Sequence, residues 1–221
     1  MGRLQPPHSK NIIGYIMIKI IDDFLPSDEA ITLSNMFFET ASWKPYWNTG
    51  VSKSEKKAWN WHTLIGNDDQ NMFGTSYDNV NSSNPPAEFD HLCETAEEWC
   101  QKTTSVKHNI DRLYSNSHTY GMEGPIHRDD GSLTVLYYPC QRWKIDWEGG
   151  TSFYNEKVDD VIKYAAYKFN RAVIFDAKIP HRAMPTTRDC YSLRTSIAFK
   201  TSMDVTDPSY SKWYAEKLKD F

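Results

Sequence analysis

Apolar residues change their spacing along this chain, and each change marks a different kind of element. Over residues 12–21 they run almost unbroken (Ile12, Ile13, Tyr15, Ile16, Ile18, Ile20, Ile21), the pattern of a strand buried on both faces. Pro26-Ser27-Asp28-Glu29 then reads as a helix start, with Ser27 as N-cap and acids in the first turn. Ile31, Leu33, Met36 and Phe37 follow at helical spacing. A second helix is expected after Asn84-Pro85-Pro86, where Phe89, Leu92, Cys93, Ala96, Trp99 and Cys100 form an apolar stripe ending near Thr103. Between the two, residues 42–83 are rich in Asn, Ser, Gly and Trp and read as loops and edge strands facing a substrate.

From Ile110 the texture becomes short β segments, expected at 110–120, 133–138, 151–154, 161–167, 171–175 and 193–199. Gly121, Gly124, Gly131, Gly149-Gly150 and Asn170 punctuate them. Many short strands without helices between them predict an antiparallel sandwich or barrel. The economical organisation is a flexible arm over 1–10, a single domain over 11–205 and a charged helical tail over 206–221.

Composition narrows the classes. The 221 residues suit one good core. A net charge of -4 with interspersed signs lacks the basic stripe of a nucleic-acid binder. Apolar runs fall far short of a membrane span, and the N-terminus has no secretory h-region, so a cytoplasmic protein is expected. The four cysteines (Cys93, Cys100, Cys140, Cys190) show no metal-type spacing and read as reduced thiols.

The chemistry sits between His127 and Lys200. His127 and Asp129 are one residue apart, so on extended backbone their side chains project to the same side. His181 follows the strongly apolar segment from Arg171 to Phe175 and is the best third ligand. Two imidazoles and a carboxylate can hold one face of an octahedral Fe(II), leaving the other for a cosubstrate and O2. Arg194 and Ser196 then share one side of a β segment. An arginine inside a small barrel is costly unless it meets an anion, which a dicarboxylic keto acid provides.

His127-x-Asp129, distal His181 and downstream Arg194-x-Ser196 together resemble the 2-oxoglutarate and Fe(II)-dependent dioxygenases, nearest to the prolyl 4-hydroxylase branch. Tyr137-Tyr138, the turn through Trp143 and Trp147, Gly149-Gly150-Thr151 and the opening Ile20-Ile21-Asp22-Asp23-Phe24-Leu25 are similar to that branch, over roughly residues 15–200. The resemblance implies a double-stranded β-helix (jelly-roll) barrel, mostly β, supported by N-terminal helices. It implies Fe(II) on His127, Asp129 and His181, and 2-oxoglutarate on Arg194, Ser196 and Tyr138. It also implies a further inward tyrosine before the His-x-Asp pair, for which Tyr120 is preferred over Tyr114. The expected reaction is hydroxylation of a prolyl residue in a peptide or protein, with O2 consumed, succinate and CO2 released, and ascorbate as a reductant. Asp129 is retained where related halogenases have a small residue, which favours hydroxylation.

Arg128, Trp143 and Trp147 are the candidate substrate contacts, the tryptophans as flat surfaces for a proline-containing segment. Arg182 and Glu123 read as polar rim, and His118 as a strand residue that is not a ligand. Rival readings are the same chemistry on a free amino acid or small metabolite, a non-catalytic binding module of the same fold, and a cupin-type metalloprotein without cosubstrate. A nucleic-acid demethylase fits less well, because Lys200 replaces a second arginine. Oligomeric state is not legible.

Overall fold

The computed structural model describes residues 17–39, 44–47, 60–64 and 87–217. The expected arm over 1–10, the start of the first apolar run, His8, most of 42–83 and the last four residues lie outside them. Among the described residues the strands are β1 (Ile18–Ile21), β2 (Lys44–Trp47), β3 (Asn60–Leu64), β4 (His108–His118), β5 (Leu133–Tyr138), β6 (Thr151–Tyr154), β7 (Val161–Ala165), β8 (Arg171–Asp176), β9 (His181–Ala183) and β10 (Arg194–Met203). The helices are α1 (Ser27–Glu39), α2 (Asp90–Thr104) and α3 (Pro208–Lys217). Pro26 supplies the carbonyl that accepts the Ala30 N–H, so α1 begins with Ser27 inside its first turn rather than capping it.

Seven strands form one antiparallel sheet in the order β1-β8-β5-β10-β4-β3-β2, and β7-β6-β9 form a second. The two sheets face each other as the jelly roll expected from the sequence. Alternation along the central strands sorts the side chains. Leu113, Leu133, Val135, Tyr137, Ala172, Ile174, Ile197 and Phe199 face the helices and pack with Ala30, Leu33 and Phe37 of α1 and Leu92, Ala96 and Cys100 of α2. The alternate residues face into the barrel, where Tyr138, Val173 and Phe175 meet Phe153 and Ala165 of the second sheet. Each fully buried Leu or Phe stabilises the fold by about 1.5–3 kcal/mol, so truncating Phe37 would loosen α1 from the sheet.

The β4–β10 ladder positions the site. It runs in register from Arg194↔His118 to Lys200↔Arg112, then shifts between Lys200 and Thr201. Lys200 therefore reaches into the barrel, while Thr201 turns to the helix side and bonds His108 at 3.0 Å. The four cysteines are unpaired, and among the described residues no helix is long and apolar enough to cross a membrane.

Candidate functional site

Backbone pairing brings the three expected metal ligands together. His127 and His181 exchange both backbone hydrogen bonds, at 3.0 and 2.9 Å, as an isolated antiparallel bridge. The Asp129 N–H donates to the Ala177 carbonyl at 2.7 Å, which ties the aspartate to the end of β8. Nε2 of His127 lies 3.5 Å from Oδ1 of Asp129, and Nε2 of His181 lies 3.3 Å from Oδ2. One ligand atom from each residue lies within 4.8 Å of the others.

Protonation suits a cation. Each Nδ1 sits 2.9 Å from a carbonyl, that of Pro125 for His127 and that of Ile179 for His181. A carbonyl only accepts, so Nδ1 carries the proton and the Nε2 lone pair is left for a metal. Burial pushes the His181 imidazole down despite its aspartate neighbour, so it is neutral. Burial alone would raise the Asp129 carboxyl, but Lys200 beside it, with His127 and His181, holds it well below the usual carboxylate range. Two imidazoles presenting Nε2 and one carboxylate make a donor set that fits Fe(II). The second oxygen of Asp129 is also engaged: Thr134 Oγ1 donates to Oδ2 at 2.7 Å, and Lys200 Nζ contacts the same atom.

Deeper in the barrel, Arg194 is 1% exposed. Its Nε donates to the Gly149 carbonyl at 2.5 Å, Nη2 to the Gly150 carbonyl at 3.3 Å and Thr151 Oγ1 at 3.4 Å, and Nη1 to Ser196 Oγ at 3.4 Å. All of these acceptors are neutral, and among the described residues no carboxylate lies within ion-pair distance of it. Gly149 has φ +71, and a Cβ there would come within 2.9 Å of the Trp143 ring, so only glycine lets this backbone reach the guanidinium. The Tyr138 hydroxyl shares a 2.7 Å hydrogen bond with Thr151 Oγ1, and its ring stacks on Tyr167 at 4.4 Å. Arg194 Cζ lies 5.8 Å from both ring centroids. The structure thus gathers Arg194, Ser196 and Tyr138 around one buried cation.

His118 belongs to this group and was passed over in the sequence. It is the register partner of Arg194, is 3% exposed, and its buried Nδ1 has no hydrogen-bond partner. Burial and the Arg194 charge push its imidazole down to about 3, so it is neutral. The available signal was its two-residue phase with Tyr114 and Asn116 on β4.

Other expected site residues are placed elsewhere. Tyr120 is 58% exposed, beyond the end of β4 in a turn closed by the Met122 N–H on the Thr119 carbonyl, so it does not reach the barrel interior. The Arg128 guanidinium is held by Glu156 at 3.0 Å and by the Lys178 carbonyl. Trp147 is 2% exposed and offers no face to a peptide. Trp143 donates to the Glu148 carbonyl and packs on Tyr167 and Trp147, at 4.2 and 5.3 Å between centroids. The two tryptophans pack the turn behind Arg194 rather than clamp a ligand. Arg182 and Glu123 approach to 3.7 Å as a rim pair.

No protein-family model and no curated protein matches the sequence. Solved structures do match. A prolyl hydroxylase from Trichoplax adhaerens, solved with a hypoxia inducible factor oxygen degradation domain peptide, superposes with a TM-score of 0.58 at 17% identity, covering 90% of this chain and 86% of that one. A Pseudomonas putida prolyl-4-hydroxylase gives 0.57 at 12%, covering 84% and 93%. The non-heme alpha ketoglutarate dependent epimerase SnoN of nogalamycin biosynthesis gives 0.59 at 9%, covering 87% and 78%. The chain therefore has the jelly-roll fold of the 2-oxoglutarate and Fe(II)-dependent oxygenases, prolyl hydroxylases among them.

Proposed function

We propose that this protein is an Fe(II)- and 2-oxoglutarate-dependent dioxygenase that hydroxylates an aliphatic C–H bond, in the first instance on a prolyl residue of a peptide or protein. The observation that carries the proposal is the pairing, inside one barrel, of the His127–Asp129–His181 cluster with a buried Arg194 that meets only neutral acceptors. A buried guanidinium without a carboxylate is a site for one, and 2-oxoglutarate brings a distal carboxylate to it. The iron centre, when bound with cosubstrate and O2, supplies the oxidising chemistry and releases succinate and CO2, with ascorbate keeping the metal ferrous.

The residues divide the remaining work. His127 and His181 present Nε2, because their Nδ1 protons are tied to carbonyls. Thr134 and Lys200 occupy Oδ2 of Asp129 and leave Oδ1 for the metal. Arg194 and Ser196, with the Tyr138 hydroxyl and the unpartnered Nδ1 of His118 beside them, form a polar cluster for the distal carboxylate. The apolar walls from Leu136, Val173 and Phe175 limit water around it. Four unpaired cysteines fit a reducing compartment such as the cytoplasm.

The prolyl substrate draws support from the prolyl hydroxylases of the same fold, one of them holding a peptide. A free amino acid or small metabolite is the second reading, favoured by the burial of Trp147 and the packing of Trp143 on Tyr167 and Trp147. The test is mass spectrometry of a peptide library incubated with protein, Fe(II), ascorbate and 2-oxoglutarate. A gain of one oxygen on prolyl peptides, with matching succinate, is expected and is abolished by His181→Ala. Absence of succinate from every peptide and metabolite offered would overturn the oxygenase reading.

A further inference from the structure

The barrel mouth beside Asp129 carries more positive charge than this chemistry uses. Lys200 on β10 and its register partner Arg112 on β4 flank one aromatic ring. Arg112 Cζ lies 5.2 Å and Lys200 Nζ 5.8 Å from the centroid of Tyr114. Lys200 is 4% exposed, and its carboxylate partner is Asp129, which the metal also claims. Arg112 is half-buried, its Nε is buried without a hydrogen-bond partner, and no carboxylate among the described residues pairs with it. Among the three metal ligands the His127 side chain is 32% exposed while those of Asp129 and His181 are buried, so solvent reaches the cluster at His127.

Charge accounting turns this into a statement about substrate. A ferrous ion and a dianionic cosubstrate cancel. Arg194, Lys200 and Arg112 then face a single carboxylate, Asp129, which leaves positive charge at the mouth without a counter-ion. Partly buried cations in that position are costly unless an anion joins them. Resting on the oxygenase reading above, we propose that Arg112 and Lys200 form an anion subsite, and that the substrate carries a carboxylate that docks there while its reacting carbon faces the metal. A carboxylate fits better than a phosphate, because Lys200 is shared with Asp129 and Arg194 lies deeper in the barrel, which leaves Arg112 as the one uncommitted cation, to be matched by a monoanion. Stacking on Tyr114 holds the Arg112 fork in place, so little side-chain freedom is lost on binding.

The experiment uses full-length protein loaded with Mn(II) and N-oxalylglycine, a non-reacting 2-oxoglutarate analogue. Paramagnetic relaxation of carbon-13 acetate by the bound Mn(II) reads anion binding near the metal, with acetamide as the neutral control. Acetate should bind saturably and at least roughly 10-fold tighter than acetamide. Arg112→Met should erase that preference and Arg112→Lys restore part of it, both variants remaining folded and able to bind N-oxalylglycine. Equal relaxation by acetate and acetamide, or an unaltered preference in Arg112→Met, overturns the subsite. Inorganic phosphate binding tighter than acetate overturns the carboxylate assignment. If N-oxalylglycine itself fails to bind the wild type, the oxygenase reading falls and the subsite with it; if it binds and acetate does not, only the subsite falls. Displacement of acetate by free L-proline assigns the anion to the substrate's own carboxylate, and displacement by N-acetyl-prolyl-aspartate amide to a neighbouring acidic residue. Displacement by neither counts against proline as the substrate and leaves the acetate result standing.

Discussion

Replacing Lys200 by Met removes a cation from a pair whose two side chains are 5% and 6% exposed. Breaking such a pair by deleting one partner costs about 3–5 kcal/mol, because the remaining charge is left buried. Asp129 keeps the Thr134 hydrogen bond at 2.7 Å and two imidazoles within 3.5 Å, which partly compensate and set the expectation at the low end, about 3 kcal/mol. For a protein of this size about 1 kcal/mol corresponds to roughly 2–4 °C in Tm, so metal-free Lys200→Met should melt about 6–12 °C below wild type. A bound divalent ion supplies the missing positive charge. The deficit should therefore shrink to less than half when both proteins carry Mn(II) and N-oxalylglycine. Circular dichroism melts with chelator and with saturating ligands measure both numbers. A metal-free variant within about 2 °C of wild type, or an equal deficit in both states, would refute the assignment of Lys200 as counter-ion to the metal carboxylate.

Three further outcomes follow from the same geometry. Arg194→Met should weaken N-oxalylglycine binding to the Mn(II) protein at least about 30-fold by titration calorimetry, since a buried charge loses its partner; unchanged affinity would favour a metalloprotein without cosubstrate. Burial holds the His108 imidazole at about 4, and burial with the Arg194 charge holds His118 at about 3, against 6.5 for an ordinary imidazole. The unfolded chain thus takes up protons below pH 6.5 that the folded chain refuses, so stability falls as pH drops from about 6.5 toward 4. At pH 5 the loss is about 2 kcal/mol per histidine, and a urea midpoint unchanged between pH 7 and pH 5 would contradict it. Gly131→Ala should destabilise by about 1–3 kcal/mol, because φ is +80 and the new Cβ would lie 2.5 Å from the Thr201 carbonyl oxygen; a neutral effect in the same urea assay would count against the turn that carries Asp129.

The local pairs of the site and its distant third ligand, His181, were legible, but the surroundings of Arg194 and Asp129 were not. His127 and Asp129 share a side because they are one residue apart, and Arg194 and Ser196 because they alternate along one strand, so each pair follows from local backbone. The limits of β5 and β6 at 133–138 and 151–154 follow from apolar runs ended by turn residues. Tyr120 was misplaced because it keeps the alternating phase of Tyr114, but β4 ends at His118 and Gly121, at φ +81, turns the chain away. His118 is then the last inward residue, and only the ladder to Arg194 reveals its setting. Trp143 and Trp147 were read as a clamp because indole serves surface and core alike; Trp147 is buried and the half-buried Trp143 packs on Tyr167, which is distant in sequence. The inward direction of Lys200 follows from its even spacing from Arg194 and Ser196, but its role depends on Asp129 arriving from another loop, which no spacing along the chain encodes.

The account stands or falls on whether three side chains hold one ferrous ion within reach of the Arg194 anion site. Anaerobic titration of the metal-free protein with Fe(II), followed by 2-oxoglutarate, tests this directly, because a keto acid chelated to ferrous iron absorbs visible light. One equivalent of Fe(II) should bind, the visible band should appear only with 2-oxoglutarate, and His181→Ala should abolish it. A wild type that binds no stoichiometric iron, or a band indifferent to His181, would contradict the claim.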